Sequence, residues 1–274
     1  MEHGSHTDHT GHAGHGVGPE APQGLQVAAR GYRFEPAIQI VDAGTVELRF
    51  VILGPDGEPL VAFEERHDKQ LHLIVVSRDP SVFHHVHPSM DSAGSWTVQL
   101  ALTPGVWRVL ADFVPQGAPD GLTLGADLFV PGGFHPRPLP ELRRAWTGGD
   151  YTVTLEGDLV AAQAGELQAV VTWNGVPVTD LQPYLAAYGH LVALRAGDLA
   201  YMHIHPEGSP SDPQTPAGPR IRFHAVAPSV GIYRLFLDFR HQDTVRTADF
   251  TLVATGGTTG AVTGGASAHH HQQR

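Results

Sequence analysis

The chain has 274 residues, a formal net charge of −11 at pH 7, a single lysine (Lys69) and no cysteine. The missing cysteine excludes a disulfide framework, thiolate zinc sites, iron–sulfur clusters and a blue-copper centre. The negative net charge and the lack of clustered basic residues argue against nucleic acid as a partner and favour cations. No apolar run approaches eighteen residues and the first residues are polar, so neither a membrane span nor a secretory signal is predicted. A mature exported chain would look the same.

The first 24 residues are predicted to be a disordered, histidine-rich tail. Five histidines recur at every third position among Gly, Ser and Thr: His3, His6, His9, His12 and His15. Such a tract cannot bury a core, and its usual role is metal capture. An engineered tag is the alternative, although tags are normally continuous runs of histidine. Residues 255–274 form a second predicted disordered tail, which ends in His269, His270 and His271.

Residues 25–133 are predicted to form an antiparallel β-sandwich, because short apolar runs alternate with turn signals and helical periodicity is almost absent. The expected strands are 26–33, 37–41, 45–53, 71–77, 82–87, 95–102, 106–114 and 124–130. Both faces of 71–77 are mostly apolar, as in a strand that is buried on both sides.

A linker at 134–149, with a short helical turn predicted at Leu139–Trp146, leads to a second domain at 150–254. The second domain repeats features of the first, such as Gly105-Val106-Trp107-Arg108 against Gly231-Ile232-Tyr233-Arg234. Two tandem copies of one immunoglobulin- or cupredoxin-like sandwich are therefore expected.

The closest internal match is a pair of histidine-containing stretches. Residues 71–88 read LHLIVVSRDPSVFHHVHP, and residues 189–206 read GHLVALRAGDLAYMHIHP. An offset of 118 relates His72 to His190, His85 to His203, and His87 to His205. Each stretch has two strand-like runs around a polar turn, which predicts a β-hairpin.

The hairpin register brings three imidazoles together in each copy. Centring the first turn between residues 79 and 80 places His72 across from His87, and the two-residue period of a strand places His85 on the same face. The same arithmetic groups His190, His203 and His205. Three convergent imidazoles suit Cu(II) or Zn(II), and the alternative is that they bond to carboxylates or carbonyls in a duplicated core.

Four further residues are candidate ligands or supports for ligands. His67 and His241 could each add a fourth ligand to its own site. Asp112 and Asp238 recur in Arg-x-x-x-Asp-Phe on a strand and could orient an imidazole by hydrogen bonding. The structural alternative for the aspartates is an ion pair with Arg108 and Arg234 or a bond to a neighbouring strand.

The histidine patterns and the segment P-G-x-W-R-V-L-A-D-F resemble exported bacterial proteins associated with copper and heavy-metal handling. Their domains are similar to the sandwiches of CopC-type copper-resistance and YtkA-like proteins. This resemblance implies a Cu(II)-binding role in the periplasm, at the cell surface or in the medium, carried by the two sets of three histidines. The chain departs from the CopC pattern because it lacks an exposed N-terminal His ligand and a Met-rich Cu(I) loop.

Three functions therefore compete. The first is binding, sequestration or delivery of Cu(II), or Zn(II), to an unknown partner. The second is a copper or zinc enzyme with an open coordination position, although no general base is clearly placed and the G-x-S-x-G and H-E-x-x-H motifs are absent. The third is a metal-free structural or adhesive sandwich.

Overall fold

The computed structural model describes residues 22–202 and 204–257, with the backbone alone at His205. The described residues form two antiparallel β-sandwiches, which confirms the predicted all-β fold class. No helix occurs among the described residues, and they accordingly contain no helix long and apolar enough to cross a membrane. Of the two predicted tails, residues 1–21 and 258–274 lie outside the described residues. The predicted disorder of residues 22–24 and 255 was wrong, because Gly24 bonds to Thr123 and Thr255 ends a strand.

The first sandwich has two sheets. Its strands are β1 (Ala28–Ala29), β2 (Tyr32–Pro36), β3 (Gly44–Leu53), β4 (Phe63–Glu64), β5 (Leu71–Ser77), β6 (Phe83–Val86), β7 (Ser89–Met90), β8 (Ser95–Leu102), β9 (Gly105–Pro115) and β10 (Leu122–Val130). The outer sheet has the order β1-β2-β3-β8-β7. The inner sheet has the order β10-β9-β5-β6, with β4 beside β9.

The second sandwich repeats this division. Its strands are β11 (Ala145–Gly148), β12 (Tyr151–Glu156), β13 (Leu159–Val160), β14 (Ala164–Trp173), β15 (Val176–Pro177), β16 (His190–Arg195), β17 (Tyr201–Met202), β18 (Ile204–Pro206), β19 (Arg220–Val226), β20 (Gly231–His241) and β21 (Thr244–Thr255). Its outer sheet is β11-β12-β14-β19-β18, with β15 beside β14. Its inner sheet is β13-β21-β20-β16-β17.

Period-two alternation explains why the outer strands form where they do. Along β19, Ile221, Phe223 and Ala225 are buried in the core of the second sandwich, while the residues between them are exposed. A strand with one apolar face can bury that face only against another sheet, which fixes its side-chain register. The two sandwich cores follow from this pattern.

The inner sheets are buried on both faces because they pack against each other. In β5, Leu71, Leu73 and Val75 join the core of the first sandwich, whereas Ile74 and Val76 face the second sandwich. The interface cluster is completed by Phe83, Leu110, Val192, Leu194, Leu199, Tyr201 and Phe236. The rings of Phe83 and Phe236 stack across it with centres 4.1 Å apart.

A strap at residues 22–27 closes one side of this interface. The amide of Gly24 donates to the carbonyl of Thr123 (2.9 Å), and the amide of Gly125 donates to that of Gln26 (2.8 Å). The buried Arg108 guanidinium donates to the carbonyls of Gly24 and Leu25. The strap therefore extends the inner sheet beyond β10.

Three sequence predictions of secondary structure between residues 25 and 149 were wrong. The strand at 26–33 is interrupted by a turn at residues 30–31 that separates β1 from β2. Residues 37–41 form no strand, because the chain crosses there between sheets and leaves only a bridge from Ile40 to Phe129. The helical turn expected at Leu139–Trp146 is absent: Pro140 keeps the preceding residue extended. Beyond it, Arg143 pairs with Thr251 and β11 begins at Ala145.

Candidate metal centre

Three side chains from the β5–β6 hairpin converge at one end of the interface, and we call them the histidine triad: His72, His85 and His87. Strand pairs Leu73↔Val86 and Ile74↔His85 give the register that the sequence predicted. The ring centres lie 4.9 to 5.3 Å apart. Imidazoles that share one tetrahedral ion with metal–nitrogen bonds of about 2.0–2.1 Å have centres about 5 Å apart. The triad therefore has the spacing of a three-nitrogen metal site.

Hydrogen bonds fix the tautomers of two triad members. His72 donates its Nε2–H to the carbonyl of Arg66 (3.0 Å), and His85 donates its Nδ1–H to Oδ2 of Asp238 (2.9 Å). Both acceptors lack a proton, so His72 Nδ1 and His85 Nε2 carry lone pairs when the rings are neutral. These two nitrogens lie 3.0 Å apart, and His87 Nε2 lies 3.2 Å from His72 Nδ1. The three nitrogens thus converge on one position, as the ligand atoms of a metal site would.

A proton is poorly suited to that position. Burial, together with the neighbouring His85 and against the hydrogen bond to the Arg66 carbonyl, lowers the pKa of His72 to about 4. Burial, followed by the fields of His85, His72 and Lys69, lowers the pKa of His87 to about 3. At neutral pH both rings are therefore uncharged and able to bind metal.

The support for His85 comes from the other sandwich. Asp238 lies on β20, and its second oxygen accepts from the Thr247 hydroxyl (2.5 Å). The side chains of His85 and Asp238 are only 4% and 6% exposed. A buried carboxylate that accepts a hydrogen bond from an imidazole fixes its tautomer and can hold its orientation toward a metal. The candidate centre is therefore shared between the sandwiches.

His190 is presented to the same region by a turn like the one beside His72. Arg66 and Lys69 form a bridge around two residues with positive φ, and Tyr184 and Ala187 form the same bridge. His190 Nε2 donates to the carbonyl of Tyr184 (2.9 Å) just as His72 does to that of Arg66. Burial lowers the pKa of His190 to about 4.

His190 lies beside the triad rather than within it. Its ring centre is 6.4 Å from that of His72 and 6.3 Å from that of His85, longer than the spacings inside the triad. The half-buried ring of His67 lies 5.0 Å from His190 and 6.1 Å from His72. The structure therefore places His67 beside both His72 and His190. The sequence predicted His67 as an extra ligand of the first site alone.

An open cleft of about 750 Å³ gives access to these residues. Its walls include His67, His72, His85 and His190, together with Gln23 of the strap. The centre is thus reached from solvent at the junction of the two sandwiches.

Asp112 occupies the position in the first sandwich that Asp238 occupies in the second. Its carboxylate accepts from the Thr123 hydroxyl (3.1 Å) and from the Tyr201 hydroxyl (3.0 Å). Burial and the adjacent Asp112 raise the pKa of Tyr201 well above its usual value. The internal repeat aligned Tyr201 with Phe83, and no role was predicted for it. The one signal in the sequence was that Tyr201 carries a hydroxyl group where Phe83 has none.

The ion pairs with Arg108 and Arg234 do not form, because Arg108 pairs with Asp127 (3.0 Å) and Arg234 pairs with Asp249 (2.5 Å). Both aspartates instead accept a hydrogen bond from a neighbouring strand, Asp112 from Thr123 on β10 and Asp238 from Thr247 on β21, which is the other form of the structural alternative. Asp112 also lines the cleft.

His241 is not brought to the centre. It lies on the opposite face of β20 from Asp238, where it accepts from the Tyr151 hydroxyl (2.7 Å) and donates to Asp180 (3.1 Å). Both ring nitrogens are engaged, so its role is structural.

The second hairpin is shorter than the sequence predicted. Only Tyr201–Met202 pairs with β16, and residue 205 pairs instead with His224 in the outer sheet. His203 and the side chain of His205 lie outside the described residues. So do the tail histidines His3, His6, His9, His12 and His15. Their assignment to metal remains a prediction.

Fold and site together define a double β-sandwich protein with a candidate histidine metal centre. A family model described as a domain of unknown function, DUF8832, matches residues 145–256. That range covers most of the second sandwich and less than half of the chain. No curated protein matches.

Several solved structures of bacterial proteins are weakly similar. Invasin, described as a bacterial integrin-binding protein, is 10% identical with a TM-score of 0.25, over 84% of this chain and 41% of its own. The D00-D0 domain of intimin is 10% identical with a TM-score of 0.24, over 82% and 99%. The fibronectin(III)-like modules of CbhA from Clostridium thermocellum are 10% identical with a TM-score of 0.23, over 88% and 100%. Similarity at this level carries no information about ligands, and none of these descriptions mentions copper.

Proposed function

We propose that the protein binds a divalent transition-metal ion, Cu(II) or Zn(II), at the histidine triad. The observation that carries this proposal is the 3.0 Å approach of His72 Nδ1 to His85 Nε2, two nitrogens whose rings donate their only protons elsewhere. Two lone pairs at this distance repel each other unless a cation lies between them. The low pKa values of His72 and His87 favour a metal ion over a proton.

Nitrogen-only ligation suits Cu(II) and Zn(II) better than the hard cations Mg²⁺ and Ca²⁺, which prefer oxygen. The sequence resemblance to copper-handling proteins favours Cu(II), and with it sequestration or delivery outside the cytoplasm. The identity of a receiving partner is left open. A second site at His190, His203 and His205 is supported by one observation: the His190 ring donates to the carbonyl of a turn residue, as the His72 ring does.

A metal-dependent enzyme is the second candidate. Three protein ligands leave a coordination position for water or substrate, as in catalytic zinc sites, and the adjoining cleft of about 750 Å³ could admit a small molecule. Two acid–base groups in the cleft wall, Asp112 and Tyr201, are bonded to each other, and Asp238 is bonded to His85. That arrangement favours binding over catalysis.

A metal-free structural or adhesive protein is the third candidate, and tandem sandwiches by themselves fit it. The burial of several uncharged imidazoles with converging lone pairs is the feature that it leaves unexplained. Metal analysis therefore separates it from the other two.

The test is a titration of the full chain with Cu(II) and with Zn(II) in the presence of a competing chelator. All eight tail histidines are replaced by alanine, so that only the folded part contributes: His3, His6, His9, His12, His15, His269, His270 and His271. One tightly bound ion that is lost in His85→Ala/His87→Ala and kept in the exposed linker variant His135→Ala would support the proposal. Absence of tight binding, or equal binding in the double variant, would refute it.

A further inference from the structure

We propose that His67 and His190, which we call the cross-sandwich pair, bind a second divalent transition-metal ion beside the histidine triad. One ligand comes from the first sandwich and the other from the second. This inference rests on the proposed function for the kind of ion, and it assigns that ion to residues outside the triad. The observation that carries it is the spacing of the two rings.

The rings of the cross-sandwich pair are as far apart as imidazoles that share one ion. Their centres are separated by 5.0 Å, within the 4.9 to 5.3 Å found inside the triad. With metal–nitrogen bonds of about 2.0–2.1 Å an ion lies about 3.2 Å from each ring centre, so this separation corresponds to an angle of about 100° at the ion, close to tetrahedral. The ring of His72 is farther away, 6.1 Å from His67 and 6.4 Å from His190. The pair is therefore a unit separate from the triad.

His190 has the same protonation pattern as His72. Its Nε2–H donates to the carbonyls of Tyr184 (2.9 Å) and Leu185 (3.0 Å), so the neutral ring carries its lone pair on Nδ1. Burial, against the hydrogen bond to Tyr184, lowers the pKa of His190 to about 4, and among the neighbouring rings the charge of His67 contributes most. At neutral pH the ring is therefore uncharged and able to bind an ion.

A tight turn of the first sandwich holds His67 at this position. His67 and Asp68 have φ values of 51° and 60°, and a backbone bridge closes the turn around them. The corresponding turn of the second sandwich has Leu185 and Ala186 at these places, with φ values of 53° and 57°. The second sandwich thus carries an apolar side chain where the first carries an imidazole. His67→Leu is consequently a conservative replacement, since leucine already occupies the same backbone geometry in this protein.

The cleft supplies the remaining coordination positions. His67 is half-buried, His190 is 7% exposed, and both line the open cleft of about 750 Å³. Two protein nitrogens leave the other positions of a four-coordinate ion to water, which enters through the cleft. The second ion should bind roughly 10- to 100-fold more weakly than the first, because it has fewer protein ligands and is repelled by the first ion.

The experiment titrates Cu(II) into the full chain with its eight tail histidines replaced by alanine, and follows binding by calorimetry and electron paramagnetic resonance. We expect two bound ions, and filling of the second site should broaden the spectrum of the first, because two paramagnetic ions this close couple magnetically. His67→Leu should abolish the second binding event and the broadening, and leave the first affinity unchanged. His190→Gln, which keeps an amide donor for the Tyr184 carbonyl, should do the same. His203→Ala/His205→Ala should keep both ions.

A second ion that survives His67→Leu would overturn the cross-sandwich pair. Loss of the second ion in His203→Ala/His205→Ala would overturn it as well, since the ion would then belong to the second hairpin. A single tight ion in the chain that retains His67 and His190 would refute the pair and leave the triad intact. Failure of the proposed function would look different, because the tight ion would be absent or would persist in His85→Ala/His87→Ala.

Discussion

At the scale of single residues, the candidate centre depends on which ring nitrogen of each imidazole already donates a hydrogen bond to the protein. His72 and His85 each donate one ring proton to a buried acceptor, and both remaining nitrogens point to the same place. One of these acceptors, Asp238, belongs to the other sandwich. These two imidazoles are therefore held in a fixed orientation by the fold.

Removing the support from Asp238 should weaken metal binding without deleting a ligand. We expect Asp238→Ala to lower the affinity of the triad about 10- to 100-fold, because His85 loses both its fixed tautomer and its partner charge. Asp238→Asn should lie between this variant and the unaltered chain, since an amide oxygen still accepts the proton. Asp180→Ala is the matched control, because Asp180 bonds to His241 outside the cleft. Equal losses in the two alanine variants would contradict a positioning role.

Acid should destabilise the metal-free protein over a defined range. The folded pKa of His72 is about 4, whereas an unfolded histidine titrates near 6.5. Below pH 6.5 the unfolded chain takes up a proton that the folded chain does not, so stability is present above pH 6.5 and is lost as the pH falls toward 4. A shift of this size corresponds to roughly 3 kcal/mol for His72.

Urea denaturation of the metal-free chain between pH 7.5 and pH 4 measures this loss. His72→Gln removes one titrating group and should make the profile shallower, while the contributions of His87 and His190 persist; His135→Ala should leave the profile unchanged. A profile that is as steep in His72→Gln as in the unaltered chain would contradict the contribution of His72.

At the scale of strands and sheets, the centre depends on β5 and β6 staying paired through the region of the triad. In the second sandwich the corresponding chain leaves the inner sheet after Met202 and joins the outer sheet at β18. The two hairpins are thus alike in their turns and unlike in their length. The described ligands consequently come mostly from the first.

The packing of Phe83 against Phe236 should couple sheet docking to metal affinity. Phe83→Ala removes the stacked contact, for which we expect a loss of about 2–3 kcal/mol in the free energy of unfolding. Metal affinity should fall as well, because the His85–Asp238 bond crosses the same interface. Phe129→Ala, whose ring is 44% exposed on β10 of the same sheet, is the control and should affect neither quantity. A stability loss with unchanged affinity would show that docking and binding are independent.

At the scale of the whole molecule, the two sandwiches share one apolar interface with the histidines at its end. An ion bound there contacts ligands from the first sandwich that are oriented by the second. Binding should therefore stabilise the pair as a unit.

Calorimetry can detect this coupling. At a free metal concentration of about 1,000 times the dissociation constant, the added stability is about 4 kcal/mol, and it should appear as an upward shift of a single transition. His85→Ala/His87→Ala should show no shift. Two transitions, of which metal moves only one, would indicate that the sandwiches unfold separately.

Local patterns in the sequence determined the fold class and the histidine triad of the first sandwich. Alternating burial sets the faces of each strand, and the turn at Asp79-Pro80 sets a register that places His72, His85 and His87 together; both depend on residues close in the chain. Tertiary structure alone decided that the inner sheets face each other, since a strand with two apolar faces does not specify what covers it. It also paired His85 with Asp238 across 153 residues and moved β18 to the outer sheet. Those outcomes depend on the docking of surfaces distant in sequence, which no local period encodes.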